Sequence, residues 1–301
     1  MSSVIICICT YKRDELIKKL LFNINSQENI LDNTIKVFIV DNYEKSSLSN
    51  NINKDILDKL EIFYFKEKMK GITFARNRAI KEIKKHKFDY CIFLDDDEFL
   101  DKNWLDNMIK CAKKYSANII TGPVISLFDE NTEEWIIKSK FFERQRKDTG
   151  VKLKTCGAGN VLIKKKVIDS DELYFNTEYA FSGGEDTELF LRLTVNGEEI
   201  IYCNEAIAYE MVHKDRLSMR YMIKRKYVNS ITLVKIEKSL LNKKKIILKR
   251  LILGSVFFIQ GILTIPIFIY KGKLGIFNSL NLISKGLGQL CGLVGVTKEL
   301  Y

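Results

Sequence analysis

The chain has 301 residues, of which 46% are hydrophobic and only two are proline, a composition that excludes a disordered or collagen-like chain. This length suffices for one large domain or two smaller ones. The net charge is +11, and residues 214–250 supply all of the excess with 13 Lys or Arg against two acids, but no aromatic-interleaved basic motif accompanies them, so we expect no nucleic-acid partner.

The first hundred residues alternate between short apolar runs, typical of buried strands, and stretches with helical spacing. The predicted elements in chain order are a strand at Val4–Cys9, a helix at Asp14–Ser26, a strand at Lys36–Val40, a helix at Leu48–Leu60, a strand at Glu61–Phe65, a helix at Phe74–Lys85 and a strand at Tyr90–Leu94. This alternation predicts an α/β domain whose parallel sheet is built from right-handed βαβ units.

The second part of the chain is more mixed. We predict helices at Asn103–Tyr115, Gly184–Leu193 and Leu217–Lys238, and strands at Ile119–Val124, Thr155–Ile163 and Ile200–Cys203. We expect one catalytic domain over residues 1–235 and a C-terminal membrane-associating helical region over residues 236–301.

Two apolar stretches follow the basic segment. Leu251–Tyr270 has 20 residues without a charge, which matches about 30 Å of hydrocarbon, and Gly275–Val296 is less apolar. Gln260 and Pro266 interrupt the first stretch, so a transmembrane span or re-entrant hairpin and a helix lying in the interface both stay open, with a soluble core helix as a third alternative. The basic flank favours an anionic membrane surface and places that side in the cytoplasm, although a solvated helical face would also explain it.

The seven cysteines include no C-x-x-C pair. Cys7, Cys9 and Cys91 lie within apolar strand patterns, which predicts buried free thiols in a reducing compartment. The run Val4–Cys9 is too short for a secretory signal and lacks a basic lead-in. We therefore expect the catalytic part at the cytoplasmic face of the cell membrane.

Acidic residues follow the strand Tyr90–Leu94 directly, as Asp95, Asp96 and Asp97. Three adjacent carboxylates at the end of a buried strand repel one another unless a cation neutralises them. Oxygen ligands suit Mg²⁺ or Mn²⁺, which bridge carboxylates to phosphates. Ligands of parallel sheets bind at the carboxyl ends of strands, so this position favours a metal-assisted phosphate site over a solvated acidic turn.

Further candidates lie at predicted helix starts. Arg76 is suited to phosphate there. Glu185 and Asp186 follow two glycines and indicate a general base, although acids at a helix start are also ordinary partners of the helix dipole. His213 is one of two histidines, and a lone histidine is usually structural.

Seven stretches, in order, resemble the family 2 glycosyltransferases, which are inverting enzymes with the GT-A fold. They are Val4–Tyr11, Val40–Asn42, Gly71–Ala79, Phe93–Glu98, Gly157–Leu162, Gly183–Leu193 and Tyr209–Arg225. The resemblance implies a GT-A (nucleotide-diphospho-sugar transferase) fold with a Rossmann-like, mostly parallel sheet flanked by helices, here followed by a basic and apolar helical tail.

The resemblance also implies roles for matching residues. The nucleotide-sugar would be bound by Thr10, Tyr11, Asp41, Arg76, Asp95 and Asp96. A Mn²⁺ or Mg²⁺ ion would be held by Asp97, Asp95 and His213. Asp186 would be the catalytic base, with Glu185 placing the acceptor. The segment Asp41-Asn42-Tyr43 lacks the Gly-Ser that often follows the Asp-Asn in relatives, which makes the base-binding loop the least certain part of the match.

The implied function is transfer of a sugar from a nucleoside-diphosphate sugar, with UDP-sugars expected first, to a hydroxyl of a glycan or lipid-linked acceptor in cell-surface polysaccharide or glycolipid assembly. The chain has no Q-x-x-R-W motif, which argues against a processive synthase. Two alternatives are a nucleotidyltransferase acting on sugar phosphates and a non-catalytic membrane protein with the same fold. The first would need a glycine-rich loop after the first strand, where Thr10–Asp14 has no glycine.

Overall fold

The computed structural model describes residues 1–46, 48 and 58–297. Its strands are β1 (Ser2–Thr10), β2 (Asn33–Asp41), β3 (Leu60–Lys66), β4 (Tyr90–Asp95), β5 (Glu98–Leu100), β6 (Ile119–Thr121), β7 (Val124–Leu127), β8 (Lys152–Leu153), β9 (Val161–Lys164), β10 (Ile200–Tyr202) and β11 (Ala208–Met211). Its α-helices are α1 (Asp14–Asn25), α2 (Ile72–Ile83), α3 (Trp104–Lys114), α4 (Glu134–Lys138), α5 (Lys165–Ile168), α6 (Glu185–Val195), α7 (Met219–Leu240), α8 (Lys243–Phe268) and α9 (Gly272–Leu293).

Within the described residues, one 8-stranded sheet has the order β3-β2-β1-β4-β9-β6-β10-β8, and a 3-stranded sheet has the order β5-β11-β7. In the large sheet, β1 pairs in parallel with β2 and β4, β2 with β3, and β6 with β10. β9 runs antiparallel between β4 and β6, and β8 is antiparallel to β10. The predicted α/β architecture with a mostly parallel sheet is confirmed.

Strand β1 lies at the centre of the hydrophobic core and is buried on both faces. Val4, Ile6 and Ile8 belong to an apolar cluster that includes residues of α1 and α3. Ile5 and Cys7 belong to a second cluster, which includes residues of α2 and α6. Because successive strand side chains point to opposite faces, a continuous apolar run is needed where helices cover both sides of a sheet.

The predicted strands and helices before residue 115 are confirmed within a few residues, except for the helix at Leu48–Leu60, most of which lies outside the described residues. The strand predicted at Thr155–Ile163 is wrong in its first part, since β9 begins only at Val161. The strand predicted at Ile119–Val124 consists of two strands separated by Gly122 and Pro123. Strands β5, β8 and β11 were not predicted, because two to four residues are too few for a periodic pattern.

The cysteines predicted to be free thiols are confirmed as such. Cys7, Cys9 and Cys91 are buried and unbridged, and the Sγ atoms of Cys7 and Cys91 lie 3.7 Å apart. Burial is the main cause that raises the pKa of Cys7 well above its ordinary value. Such thiols pack as small hydrophobic groups and stay protonated at neutral pH.

The chain forms two compact units. The first comprises Met1–Ile125, Arg144–Ala180 and Glu188–Glu210, and the second comprises Ser126–Glu143, Phe181–Thr187 and Met211–Tyr301. The first unit contains the large sheet. The second contains α7, α8 and α9, and the predicted division at residue 235 falls inside α7. Among the residues described, one helical segment, Lys243–Pro266, is long and apolar enough to cross a membrane.

Candidate active site

The acidic cluster lies at the carboxyl end of the central parallel strands. Asp95 is the last residue of β4, and a turn through Asp96 and Asp97 leads into β5 at Glu98. In the sheet register Asp95 is opposite Cys9, and Thr10 is opposite Asp41. The structure therefore gathers the predicted donor-binding residues of β1, β2 and β4 at one edge, as the topology of parallel sheets requires.

Thr10 and Arg13 bind two of the three aspartates directly. Arg13 Nη1 donates to Asp96 Oδ1 at 2.6 Å and to Asp97 Oδ2 at 3.0 Å, and Thr10 Oγ1 donates to Asp96 Oδ2 at 2.8 Å. Both oxygens of Asp96 thus have protein donors. The guanidinium supplies the positive charge that holds this turn together.

Asp97 is the least neutralised carboxylate of the turn. Burial, followed by the negative charges of Asp95, Glu210 and Asp96, raises the pKa of Asp97 to about 7, and Arg13 only partly opposes this rise. A carboxylate in this state lacks positive charge in its surroundings. A cation bound beside Asp97 would stabilise its ionised form.

Glu98 and Gly159 pack against the acidic cluster. Glu98 is buried, its Oε2 accepts from the backbone N–H of Asp95 at 3.2 Å, and burial with the charge of Asp95 raises its pKa well above the ordinary value. A Cβ atom at Gly159 would lie 2.5 Å from Glu98 Oε1 and 2.7 Å from Asp95 Oδ2. Position 159 therefore requires glycine for the two carboxyl groups to keep their places.

Arg76 contacts the outer side of Asp95. Its Nη2 donates to Asp95 Oδ1 at 3.0 Å, and its guanidinium lies over the Phe175 ring at 5.2 Å. The Asp95 side chain is still 42% exposed. Arg76 belongs to α2, which begins at Ile72. The structure thus places Arg76 beside the acidic turn with a carboxylate as its partner, and its predicted contact with phosphate stays a prediction.

The loop after β2 is held by Asp41 and Asn42. Tyr64 Oη donates to Asp41 Oδ2 at 2.8 Å, and the Tyr43 backbone N–H donates to Asp41 Oδ1 at 2.9 Å. Asn42 Nδ2 donates to the carbonyls of Glu67 and Met69, and the N–H of Gly71 donates to its Oδ1 at 2.8 Å. Asp41 and Asn42 therefore fix this loop through their own hydrogen bonds.

Two tyrosines flank the ends of β1 and β2. Tyr11 is 39% exposed, and its ring meets that of Tyr43 edge-on with centroids 5.6 Å apart. Lys12 Nζ lies 4.7 Å from the Tyr43 ring centre and 5.3 Å from that of Tyr11. An aromatic surface with a cation beside it can stack a nucleobase and attract phosphate.

The predicted catalytic acids lie in the second unit. Glu185 is buried and begins α6, and Asp186 Oδ1 accepts from the N–H of Thr187 at 2.6 Å. The two preceding glycines have φ values of +74° and +93°, which only glycine adopts readily. The glycine pair therefore sets the chain direction that brings these acids to the start of the helix.

His213 also belongs to the second unit. Its Nδ1 lies 3.6 Å from Asp215 Oδ2, and the imidazole is 59% exposed. Asp95 and Asp97 belong to the first unit. The three-residue metal set implied by the family resemblance stays a prediction.

The chemistry of the donor set fits a hard divalent cation. Asp95 and Asp97 offer carboxylate oxygens beside further acids, and burial together with those neighbouring acids raises the pKa of Asp97. Oxygen-rich sites with exposed positions suit Mg²⁺ and Mn²⁺. Among the described residues, no group of three or more His, Cys, Asp or Glu already has the arrangement of a metal site, so any further ligands would come from phosphate, water or a rearrangement.

Sequence reasoning missed several residues that build the site. Arg13 had a signal, since it is a cation in the loop after β1. Asn160 is fully buried, accepts from Trp104 Nε1 at 2.7 Å and donates to the carbonyls of Pro123 and Ala206 at 2.9 Å. It anchors the strand that follows Gly159. Its partners come from distant segments, so no local pattern indicates its role.

The structure and sequence were compared with known proteins. The model of a family described as "Glycosyl transferase family 2" matches residues 5–171. The succinoglycan biosynthesis protein ExoM of Rhizobium meliloti (strain 1021) is 26% identical over 225 residues, which are 73% of this chain and 70% of that protein. Two crystal structures of S. aureus TarS 1-349 are similar at 14% identity. The complex with UDP-GlcNAc has a TM-score of 0.56 and covers 97% of this chain and 91% of that chain, and the complex with UDP has a TM-score of 0.55 with 98% and 92% covered. The likeness to TarS confirms the predicted fold class.

Proposed function

Because this chain belongs to glycosyl transferase family 2, we propose that it transfers a sugar, with inversion, from a nucleoside-diphosphate sugar bound at the acidic cluster to an acceptor hydroxyl. The observation that carries the proposal is the turn Asp95–Asp97 at the end of β4, beside Thr10, Arg13 and Arg76. The nucleotidyltransferase alternative lies outside this family.

Donor binding follows from the residues at the sheet edge. Tyr11 and Tyr43 offer a stacking surface for the base, and Asp41 lies at the neighbouring strand end, where it can accept from the ribose or base. The TarS structures hold UDP and UDP-GlcNAc, which supports a UDP-sugar as the donor here. Arg76 and Lys12 supply cations that favour the diphosphate.

The proposed mechanism includes a divalent metal ion. Asp97 and Asp95 would hold Mn²⁺ or Mg²⁺, with His213 as the third protein ligand implied by the family. A divalent ion bound there would stabilise the negative charge that develops on the departing nucleoside diphosphate. Arg76 adds positive charge on the same side, and Arg13 keeps Asp96 in place.

Asp186 is the proposed general base. It accepts the proton of the acceptor hydroxyl while that oxygen attacks the anomeric carbon on the face opposite the diphosphate, so that one displacement inverts the configuration. Glu185 precedes it in the first turn of α6 and positions the acceptor. The acidic groups thereby divide into a donor set on β4 and an acceptor set on α6.

The relative and the tail both support a proposal for the acceptor class. ExoM is named for succinoglycan biosynthesis, which supports a role in cell-surface polysaccharide or glycolipid assembly with a glycan or lipid-linked acceptor. The cationic, apolar second unit supports work at an anionic membrane surface on its cytoplasmic face.

The function is tested by a screen of nucleoside-diphosphate sugars with purified full-length chain and Mn²⁺. We expect sugar release from one donor, at a slow rate with water as acceptor. Asp97→Asn should reduce this turnover by about 10²-fold or more, whereas Asp169→Asn, in an exposed ion pair with Lys165, should leave it unchanged. Turnover of no donor, or equal activity of both variants, would contradict the proposal.

A further inference from the structure

The outer face of α8 (Lys243–Phe268) is apolar and exposed. Fewer than a quarter of the residues in its most apolar stretch are buried. The exposed side chains recur every three or four residues along one side of the helix and are Leu248, Leu251, Ile252, Val256, Ile259, Ile262 and Leu263, each between 46% and 64% exposed. A continuous exposed apolar face of this length indicates a partner that covers it.

The charges around this face specify the partner. Residues 241–298 contain no Asp or Glu. Lys243, Lys244 and Lys245 begin the helix, and Lys271 and Lys273 follow its end, all in exposed positions. An apolar face with exposed lysines at both ends is complementary to an anionic phospholipid bilayer, whose headgroups attract lysine and whose acyl chains accept the apolar side chains.

The inner face of α8 packs closely on α9 (Gly272–Leu293). A Cβ atom at Gly261 would lie 2.7 Å from the backbone N of Ile283, and one at Gly286 would lie 2.5 Å from the backbone N of Phe258. Thr264 Oγ1 and Ser279 Oγ are 3.0 Å apart. The two helices therefore form a tight antiparallel hairpin.

The far side of α9 packs along α7 (Met219–Leu240) from end to end. Near the turn of the hairpin, Phe277 joins a buried cluster with Met222. Further along, a Cβ atom at Gly288 would lie 2.5 Å from the carbonyl of Tyr227. At the open end, Lys238 Nζ donates to the carbonyl of Leu293 at 2.9 Å. The hairpin thus follows α7 over its whole length.

Both ends of the hairpin also form ion pairs with acidic residues of the same unit. At the turn, Lys273 pairs with Glu133, and Phe277 lies against Trp135 with ring centres 5.7 Å apart. At the open end, Arg250 pairs with Glu237 through two contacts of 2.6 Å. A hairpin that crossed a bilayer would place its turn and its open end on opposite sides.

α7 cannot accompany the hairpin across a bilayer. It carries Lys or Arg at positions 220, 224, 225, 226, 235 and 238, and transfer of each such charge into the hydrocarbon is strongly unfavourable. We propose that α8 lies lengthwise in the interface of an anionic bilayer, with its outer face among the acyl chains and its terminal lysines among the headgroups, and does not cross it. This position of α8 deepens the membrane attachment proposed above and does not depend on sugar transfer.

Binding is tested by co-sedimentation of the full-length chain with vesicles. We expect binding to vesicles of equal parts phosphatidylglycerol and phosphatidylcholine, weakened about tenfold or more by the double substitution Ile252→Gln with Ile259→Gln. Phe22→Gln, at a position on α1 that is 61% exposed, is the matched control and should bind like the parent chain. Changing Lys243, Lys244 and Lys245 to Gln should reduce binding to these vesicles at least tenfold and leave weak binding to pure phosphatidylcholine unchanged.

Orientation is tested by tryptophan substitutions at Leu248, Val256 and Leu263, each in a separate variant, with quenching by lipids brominated high or low on the acyl chain. After subtraction of the signal of the parent chain, all three should be quenched best by the shallow bromines and to the same extent. A helix that crosses the bilayer would place residue 256 deepest and favour the deep bromines there, which would overturn the proposal.

A second copy of the chain is the competing occupant of the face. Light scattering without lipid should show that the Ile252 and Ile259 substitutions leave the oligomeric state unchanged. A dimer that these substitutions dissociate, together with no sedimentation with anionic vesicles, would also overturn the proposal.

Discussion

Arg13 is the residue on which the acidic turn depends most directly in this structure. Its guanidinium bridges Asp96 and Asp97 at 2.6 and 3.0 Å, in a place where burial and mutual repulsion raise the pKa of both carboxyl groups. Both Arg13 and a bound divalent ion would therefore place positive charge beside Asp97. The two should compensate for each other in part.

We predict that Arg13→Gln lowers the free energy of unfolding by about 1–2 kcal/mol without divalent ions, because two largely buried carboxylates lose a charged donor. The Arg13 side chain is 32% exposed, which keeps the loss below that of a fully buried pair. Saturating Mn²⁺ should raise the melting temperature of the variant more than that of the parent chain. An equal effect of Mn²⁺ on both would contradict this compensation, and the absence of any effect would contradict a cation site at Asp97.

Asp186→Asn should reduce sugar transfer by about 10²–10⁴-fold, the range for loss of a general base, and should leave the dissociation constant of the donor within about twofold. The exposed Asp171→Asn is the control. Steady-state kinetics and donor binding measured on both variants check this. A loss of only several-fold for Asp186→Asn would refute its assignment as the base.

Gly159→Ala should weaken donor binding about tenfold or more, since the added Cβ would meet Glu98 Oε1 at 2.5 Å and Asp95 Oδ2 at 2.7 Å and must displace at least one carboxyl group. Donor titration followed by tryptophan fluorescence measures the effect, and thermal unfolding of the same sample reports whether the fold is retained. Unchanged affinity in a folded variant would show that neither carboxyl group needs its present position.

For individual residues, the sequence allowed us to predict the acidic site residues but not the side chains that bind them. Asp95, Asp96 and Asp97 are consecutive and follow an apolar strand, so their place at a strand end was predictable. The bond from Arg13 to Asp96 joins residues 83 positions apart, and Asn160 gathers partners 37 to 56 positions away. Such contacts depend on the register of the sheet, which composition and periodicity do not reveal.

Among the elements, the parallel strands were predictable, whereas the direction of the antiparallel strand β9 was not. β1, β2 and β4 are continuous apolar runs because both faces of the sheet are covered. β9 is equally apolar, but nothing in its sequence indicates its direction, and the broken segment before it was mistaken for strand. Its antiparallel course follows from the connections around it, which no local pattern encodes.

The contact between α7 and α8 offers a test at the element scale. Glu237 and Arg250 form a two-contact ion pair with side chains 11% and 9% exposed. We predict that Glu237→Gln lowers the free energy of unfolding by about 3 kcal/mol, because it leaves the guanidinium buried without its counter-charge. Glu134→Gln, in an exposed helical pair with Lys138, should change it by less than about 0.5 kcal/mol. Urea unfolding of both variants measures these changes. Equal losses of unfolding free energy would contradict a structural role for the Glu237–Arg250 pair.

For the whole molecule, the proposed sugar transfer and the proposed membrane binding rest on two different surfaces. One is the edge of the parallel sheet, where β1, β2 and β4 end in polar side chains. The other is the apolar face of α8, with cations at both ends. The sequence placed the apolar stretches but left span and interfacial helix open, because hydropathy and length are the same for both. The packing of α9 along charged α7 is the observation that supports the proposed interfacial position of α8.

The central claim is that a divalent ion at Asp95 and Asp97 binds the diphosphate of a sugar nucleotide. Calorimetry of the full-length chain with UDP-GlcNAc and a panel of other nucleoside-diphosphate sugars, with and without Mn²⁺ or Mg²⁺, tests this claim most directly. We predict that at least one donor binds about tenfold or more tightly with the metal and that Asp97→Asn removes this gain. Absence of metal-assisted binding for every donor, or a gain that Asp97→Asn leaves intact, would contradict the account.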